Sequence, residues 1–265
     1  MIKNLKKLAV LGVSAAALSI AAASADPLPV QNLLFNSYSG TGVDVPKNLF
    51  SLVNPTGWTG GTGLISIDAP GTATLGGNSF PGDNAYPVYG PFPDSPSGGN
   101  FIQADGNPTF ETSFNQTITG LTPGQAYTLS FWQAAGQQQG FSGPTTEQWK
   151  VFFGSGTFSV DCSTNPCTTS TTGSMQEVDS LLMNTPSQGV TPWNEVFMTF
   201  TADATSDVLS FLAWGDNGNT TNLPPTVFLA GVNSPAVPEP ATLSIFGAGI
   251  VGAVIRRRMK RKASA

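Results

Sequence analysis

The sequence predicts an all-β domain built as a two-sheet antiparallel β-sandwich, and three observations predict it. Short apolar alternations of period two return along the chain, loops rich in Gly, Pro, Ser, Thr and Asn separate them, and long runs with helical 3.6-residue periodicity are missing between the two ends. A strand with one face in a core buries every second side chain, and that is the pattern written here.

Taken in order, the apolar stretches fall at 31–35, 64–67, 100–104 and 113–119. The clearest is 127–132, where Tyr127, Leu129 and Phe131 alternate with Thr128, Ser130 and Trp132 directly after the turn Gly120-Leu121-Thr122-Pro123-Gly124. Next come 149–153 and 157–160. In 196–201, Val196, Met198 and Phe200 alternate with Phe197, Thr199 and Thr201; in 209–213, Leu209, Phe211 and Ala213 alternate with Ser210 and Leu212; 227–232 is last. Ten short strands between such loops read as a sandwich. Trp58, Trp149 and Trp193 suit the edges of its core.

Neither end of the chain belongs to that domain. Lys3, Lys6 and Lys7 precede an apolar run over 8–20, and Ala23-Ser24-Ala25 is the small-residue site that a signal peptidase cuts before Asp26. At the other end, Val237-Pro238-Glu239-Pro240 leads into an uncharged run over 241–255 and then Arg256-Arg257-Arg258-Met259-Lys260-Arg261-Lys262. That run is shorter than the roughly 20 residues a helix needs to span a bilayer. Its cationic flank stays on the cytoplasmic side, leaving everything upstream outside. The order and spacing of these parts resemble the PEP-CTERM sorting tail of Gram-negative bacteria. The resemblance implies recognition by an exosortase, cleavage near Pro238-Glu239-Pro240 and delivery to the cell surface or beyond. The expected organisation is a signal peptide with its helix at 1–25, a β-sandwich domain at 26–236 and a sorting tail with a short helix at 237–265. The expected partners in export are signal peptidase and exosortase, with a transient inner-membrane association through the C-terminal helix.

Removing the ends changes the charge. Residues 26–236 keep two cations, Lys47 and Lys150, against 15 acids, a net −13. Such a surface repels phosphate backbones, which excludes nucleic acid as a partner. No cofactor is expected; divalent cations are the natural counterions of such a surface, since their sites prefer carboxylate oxygens, and a structural calcium is the ion it leaves open. Cys162 and Cys167 enclose Ser163-Thr164-Asn165-Pro166, and in an exported chain they are expected to close a small disulfide loop after the strand ending at Val160. With no His and no further Cys, a zinc site lacks ligands and Ser-His-Asp or Cys-His catalysis lacks a base. Two-carboxylate glycosidase chemistry needs only a pair of acids. Asp105 with Glu111, or Glu177 with Asp179, are such pairs, but nothing in their spacing marks them, and no catalytic residue is assigned. The run Gly247-Ala248-Gly249-Ile250-Val251-Gly252 has the spacing of a dinucleotide-binding loop. It lacks the following helix and distant acid that the chemistry requires, and it reads as small residues of the tail helix.

A second resemblance lies inside the domain. Gln116-Thr117-Ile118-Thr119-Gly120-Leu121-Thr122-Pro123-Gly124-Gln125-Ala126-Tyr127-Thr128-Leu129-Ser130-Phe131-Trp132 resembles the central hairpin of galactose-binding-like jelly rolls, the fold of many carbohydrate-binding modules. Phe197-Met198-Thr199-Phe200-Thr201-Ala202 and Val208-Leu209-Ser210-Phe211 fit its last strand pair. The resemblance implies a jelly roll over most of 31–233, and leaves the ligand open because one fold carries many functions. Members often hold a structural calcium between an Asn-Gly-x-Phe-Glu opening and an Asp in the final strand. Here Phe35-Asn36-Ser37-Tyr38 opens the domain and Ala230 stands where that Asp is expected.

Aromatic faces stack on sugar C–H surfaces while amides and carboxylates bond the hydroxyls. Two segments carry that mixture, 80–100 and 132–149, and a loop after Trp214 adds to them. The candidate sugar-binding residues are Tyr86, Tyr89, Phe92, Trp132, Gln133 and Asp216. The expected function is a non-enzymatic, exported structural or adhesive component of the exopolysaccharide or biofilm layer, with extracellular polysaccharide as its partner. A dedicated carbohydrate-binding module and a polysaccharide hydrolase are the alternatives.

Overall fold

A computed structural model of the chain describes residues 25–39, 54–60, 63–75, 86–215 and 225–233. The signal segment through Ser24, the sorting tail and Asp216 lie outside the described residues. The strands are β1 (Asp26–Pro27), β2 (Tyr38–Ser39), β3 (Asn54–Pro55), β4 (Thr59–Gly60), β5 (Ile65–Asp68), β6 (Phe101–Asp105), β7 (Ser113–Thr119) and β8 (Ala126–Gln137). They continue as β9 (Thr145–Gly154), β10 (Phe158–Asp161), β11 (Thr168–Thr171), β12 (Gln176–Asp179), β13 (Met183–Thr185), β14 (Asn194–Thr201), β15 (Ser206–Gly215) and β16 (Pro225–Ala230).

Two six-stranded sheets form the expected sandwich of jelly-roll type. One runs β1-β8-β16-β6-β5 with β14 also on β8; the other runs β12-β9-β15-β7-β4 with β13 also on β9. All their pairings are antiparallel except the short parallel contact of β1 with β8. The core lies between the sheets. Ile67, Ile102, Leu129, Phe131, Val227 and Leu229 come from one side and Phe114, Trp149, Val151, Phe153, Leu209 and Phe211 from the other, each at most 1 % exposed. Phe114 and Phe211 stack at 5.2 Å between centroids, and Phe131 meets Phe211 edge-on at 5.3 Å. Burying each such ring contributes about 2–3 kcal/mol. The Trp149 indole N–H donates to Phe228 O at 3.0 Å, satisfying the polar atom of a side chain otherwise buried in apolar surroundings.

The alternation of 126–132 and 194–201 matches their burial, while 133–137 are buried on both faces, and the register pairs Val196 with Phe131 and Met198 with Leu129. One expected strand is absent. Residues 31–35 form a turn in which Asn32 and Phe35 adopt left-handed backbone, φ 51° each. Its polar groups are met by a side chain instead of a strand: Gln116 Oε1 accepts from Gln31 N at 2.7 Å, and Gln116 Nε2 donates to Gln31 O at 3.2 Å. Phe35 then plugs the core beside Trp58, with centroids 5.6 Å apart. Cys162 and Cys167 are bonded to each other, closing the turn between β10 and β11.

Candidate functional site

Period-two alternation gives the first sheet a second face, turned away from the core. Ser66 and Asp68 of β5, Phe101, Gln103 and Asp105 of β6, Thr226, Phe228 and Ala230 of β16, and Trp132 and Ala134 of β8 stand on it. Residues 86–97 cross this face as a strap. Val88 N donates to Ala73 O at 3.0 Å, Tyr89 N to Gln137 O at 2.9 Å, and the Trp193 indole N–H to Pro93 O at 2.8 Å. Where β16 ends, Gly231 (φ 58°) leaves room for Ser97; an added Cβ would lie 2.4 Å from the Ser97 Cβ.

The strap and the sheet enclose a second aromatic cluster. Phe92 lies 4.3 Å from Phe228 and 5.7 Å from Trp193, and Phe101 meets both Trp193 and Phe228 edge-on at 5.7 and 5.8 Å. Of the candidate sugar-binding residues, the structure thus brings Tyr86, Phe92 and Trp132 together, half-buried against this cluster. Their rings pack on the sheet; Phe92 is a plug of the strap. Trp132 keeps one unmet demand, since its Nε1 is buried with no hydrogen-bond partner.

Tyr89 stands apart, its hydroxyl donating to Phe141 O at 3.1 Å and accepting from Gly140 N at 3.2 Å. The neighbouring glutamines are similarly engaged. Gln137 Nε2 donates to Gly143 O at 2.7 Å and its Oε1 accepts from Gln188 N at 2.6 Å, while Gln139 Nε2 donates to Val88 O at 2.8 Å.

Gln133 departs from expectation. Its position in β8 turns it to the inner face, where it is 0 % exposed. There Nε2 donates to Leu181 O at 2.9 Å and Asn194 Oδ1 at 3.1 Å, and Oε1 accepts from Ser180 Oγ at 2.6 Å. Its hydrogen-bonding capacity is consumed within the fold, so Gln133 does not present itself to a sugar. Ala230 is buried in the second aromatic cluster, so the final strand offers no carboxylate at that position.

The sequence reading missed Phe197. It stands on the outward face of β14, 72 % exposed, opposite Ser130 and two residues from Glu195, which pairs with Trp132. The signal was present: an aromatic at the solvent-facing position of a regular alternation. Also missed was the polar end of the strapped face, where Asp68, Gln103 and Asp105 are each at most 1 % exposed. Burial pushes the Asp105 carboxyl up to about 7, against the opposing hydrogen bond from Asn107 N. Burial, and then the charge of Asp105, raise the Tyr86 hydroxyl well above its ordinary range.

The outer face of the second sheet carries an ionic cluster. Lys150 Nζ lies 2.8 Å from Glu177 Oε1, 3.0 Å from Asp179 Oδ2 and 5.0 Å from the centre of the Trp214 ring. Burial opposes its charge, but the hydrogen bonds to Glu177 and Asp179 outweigh that and hold the ammonium above its usual range. Glu177 and Asp179 are thereby occupied by a cation, whereas Asp105 is buried and Glu111 exposed at a left-handed turn, φ 50°.

Comparison with known proteins adds the following. Residues 236–258 match the PEP-CTERM protein-sorting motif, so the chain ends in that signal. No curated protein sequence matches the chain. Among solved structures, the enzymatically active domain of the bacteriophage CBA120 tailspike protein 4 shares 12 % identity at TM-score 0.33, covering 67 % of this chain but 19 % of the tailspike domain. The chain therefore spans about a fifth of that protein. TmCBM61, solved with β-1,4-galactotriose, shares 12 % identity at TM-score 0.32 over 73 % of this chain and 97 % of its own. The CBM22-1 xylan-binding domain of Xyn10C from Paenibacillus barcinonensis shares 10 % at TM-score 0.31, over 80 % and 95 %.

Proposed function

We propose that this chain is an exported, non-enzymatic structural or adhesive component of the exopolysaccharide layer, sorted by an exosortase to the cell surface or the surrounding matrix. The observation that carries this reading is the PEP-CTERM protein-sorting motif at 236–258, which marks the chain as an exported protein processed at the cell envelope. The net −13 of 26–236 and the disulfide between Cys162 and Cys167 suit an oxidising, extracellular setting. Signal peptidase cuts after Ala25, and the next residues, Asp26 and Pro27, enter the first sheet as β1. The tail is held in the inner membrane only until the exosortase cuts near Pro238-Glu239-Pro240.

Contact with polysaccharide is made where aromatic faces remain open to solvent. Among the described residues, Phe197 beside Trp132, and Tyr89 with the 42 % exposed Phe141, meet this condition. Exposed rings of this kind stack on sugar faces without a deep pocket. The test has two parts. Mass spectrometry of the secreted protein is expected to find Asp26 at its start and the cationic end removed; a full-length chain in the cytosol would sink the sorting reading. Affinity electrophoresis in gels containing the cell's own exopolysaccharide is expected to retard the protein, and Phe197→Ala or Trp132→Ala to lower the apparent affinity about tenfold. Unaltered migration of the wild type would remove the polysaccharide and leave the sorting intact.

A further inference from the structure

The first sheet ends on β14, and its neighbours fix which way that strand's backbone groups point. Ser130 N donates to Asn233 Oδ1 at 2.8 Å and Ser130 O accepts from Asn233 N at 2.7 Å, so both groups of Ser130 turn away from β14. Phe197 stands directly opposite Ser130 and therefore turns its own N–H and C=O away from β8, to the open side. Thr201 gives the same parity independently. Its N–H donates to Gln176 Oε1 at 3.1 Å and its C=O accepts from Gln176 Nε2 at 2.7 Å. A side-chain amide from β12 thus closes the last position of the edge. The N–H and C=O of Glu195, Phe197 and Thr199 face outward with no partner among the described residues.

Nothing within this edge guards it. Open edges are usually blunted by short length, Pro, Lys or a bulge. The strand β14 runs eight residues, Asn194–Thr201, has no Pro, Gly, Lys or Arg, and carries Glu195 as its single charge. Apolar surface collects beside it. Leu181 and Phe197, at 73 and 72 %, are the most exposed large apolar side chains among the described residues. Leu181 is held at the Asn194 end of the edge, because Gln133 Nε2 donates both to Leu181 O and to Asn194 Oδ1. Such a patch beside unpaired backbone marks an interaction surface.

We propose that β14 is the dimer interface of the exported protein, two copies pairing this strand antiparallel about a two-fold axis at Phe197. Alternating N–H and C=O groups at strand spacing are matched by another strand. A second β14 fits because the two-fold register sets Glu195 opposite Thr199 of the second copy and Phe197 opposite Phe197, each residue offering its backbone groups on the same side. The only charge on the strand then meets a hydroxyl. The two Glu195 carboxylates end roughly 14 Å apart along the strands, beyond the ~8 Å screening length of physiological salt. The two Phe197 Cα atoms lie about 5.5 Å apart, which brings their rings side by side on the outer face. Leu181 and Leu182 of each copy come to the Thr201 end of the other. The two first sheets join edge to edge, and the pairing closes on itself, so the exposed edges are used up and no fibre grows. Dimerisation stands whether or not these rings meet polysaccharide.

Sedimentation equilibrium of the secreted protein across the micromolar range tests this, with the mass of two chains expected. Thr199→Pro removes one outward N–H and spares the ladder to β8; it is expected to weaken dimerisation at least about tenfold, as proline is tolerated at a sheet edge only where no partner needs its N–H. Phe197→Cys keeps the test open if the proline variant does not fold. Cys162 and Cys167 are already joined, so the added thiol has only its own copy to meet. Air oxidation is expected to give a covalent dimer with Phe197→Cys and far less with Phe141→Cys, a similarly exposed position away from the edge. A wild type with the mass of one chain throughout the range overturns the proposal. So does a dimer that Thr199→Pro leaves unchanged, or equal cross-linking of the two cysteine variants. Slow hydrogen exchange at the Phe197 amide in a particle of one-chain mass would give the edge to another segment of the same chain, and overturns it as well.

Discussion

Trp132 and Gln133 are neighbours in sequence and face opposite sides of one sheet. Parity alone decides that: Tyr127, Leu129 and Phe131 point into the core, so Gln133 does too and Trp132 does not. The alternation was readable in the chain, but parity does not say whether an outward side chain meets water or another layer. Asp68, Gln103 and Asp105 occupy outward positions that read as solvent-facing, and the strap buries them. Asp203, in the turn between β14 and β15, and Asp207, at the start of β15, are a second case in which folding brings acids together. Asp203 N donates to Asp207 Oδ2 at 3.1 Å, and Ser155 Oγ donates to Asp203 Oδ2. Hydrogen bonds from Ser155 and then Asp207 hold the Asp203 carboxyl well below the usual carboxylate range, whereas burial and then Asp203 push Asp207 up to about 6. Because the folded Asp207 binds its proton more tightly than the unfolded one, near 3.9, its contribution to stability is present below about pH 4 and is lost as pH rises through about 6. Asp207→Asn is therefore expected to gain on the wild type by roughly 1–2 kcal/mol between pH 4 and pH 7, after allowance for the proton shared with Asp203. Urea unfolding across that range measures it, and parallel curves for the two proteins would contradict it.

Among the elements, strands with one strongly apolar face were legible, and β7 falls at 113–119 as expected. The strands β11, β12 and β13 were not anticipated, because their exposed or half-buried positions carry Thr, Ser, Gln, Glu, Asp and Asn with little apolar alternation. They form because a neighbouring edge offers hydrogen bonds: β12 and β13 pair with β9, and β11 with β10. The β10–β11 hairpin also covers the outer face of the second sheet, with Phe158 stacked on Phe152 at 4.2 Å. The disulfide between Cys162 and Cys167 holds the hairpin's turn closed. Closing so short a loop restricts the unfolded chain by about 2 kcal/mol. Replacing both cysteines by serine should lower the unfolding free energy by about that amount and expose the Phe152–Phe158 pair first. Hydrogen exchange localised to 152–171 would register the opening; global loss of protection at the same rate everywhere would argue that the hairpin is not a separate unit.

For the molecule as a whole, the two ends of the sandwich are clamped to one strand. Leu28 N donates to Thr128 O at 2.8 Å and Asn233 N to Ser130 O at 2.7 Å. Asn233 Nδ2 donates to Leu28 O at 2.6 Å while its Oδ1 accepts from Ser130 N at 2.8 Å. Asn233, in left-handed backbone at φ 51°, thus ties the first residues of the domain to the last. Asn233→Ala leaves two backbone groups unmatched and is expected to cost about 2–3 kcal/mol, read as a lower denaturant midpoint with an unchanged slope. A stability within 0.5 kcal/mol of wild type would show that water replaces the clamp. The sequence by itself determined the sandwich, the pairing of its cysteines and the sorting signal at 236–258, because period-two burial, two cysteines and a contiguous motif are all local in the chain. Only the tertiary structure decided which polar and aromatic side chains are buried. The strap over the first sheet and the hairpin over the second come from residues distant in sequence, and burial is a property of what lies on top of a side chain.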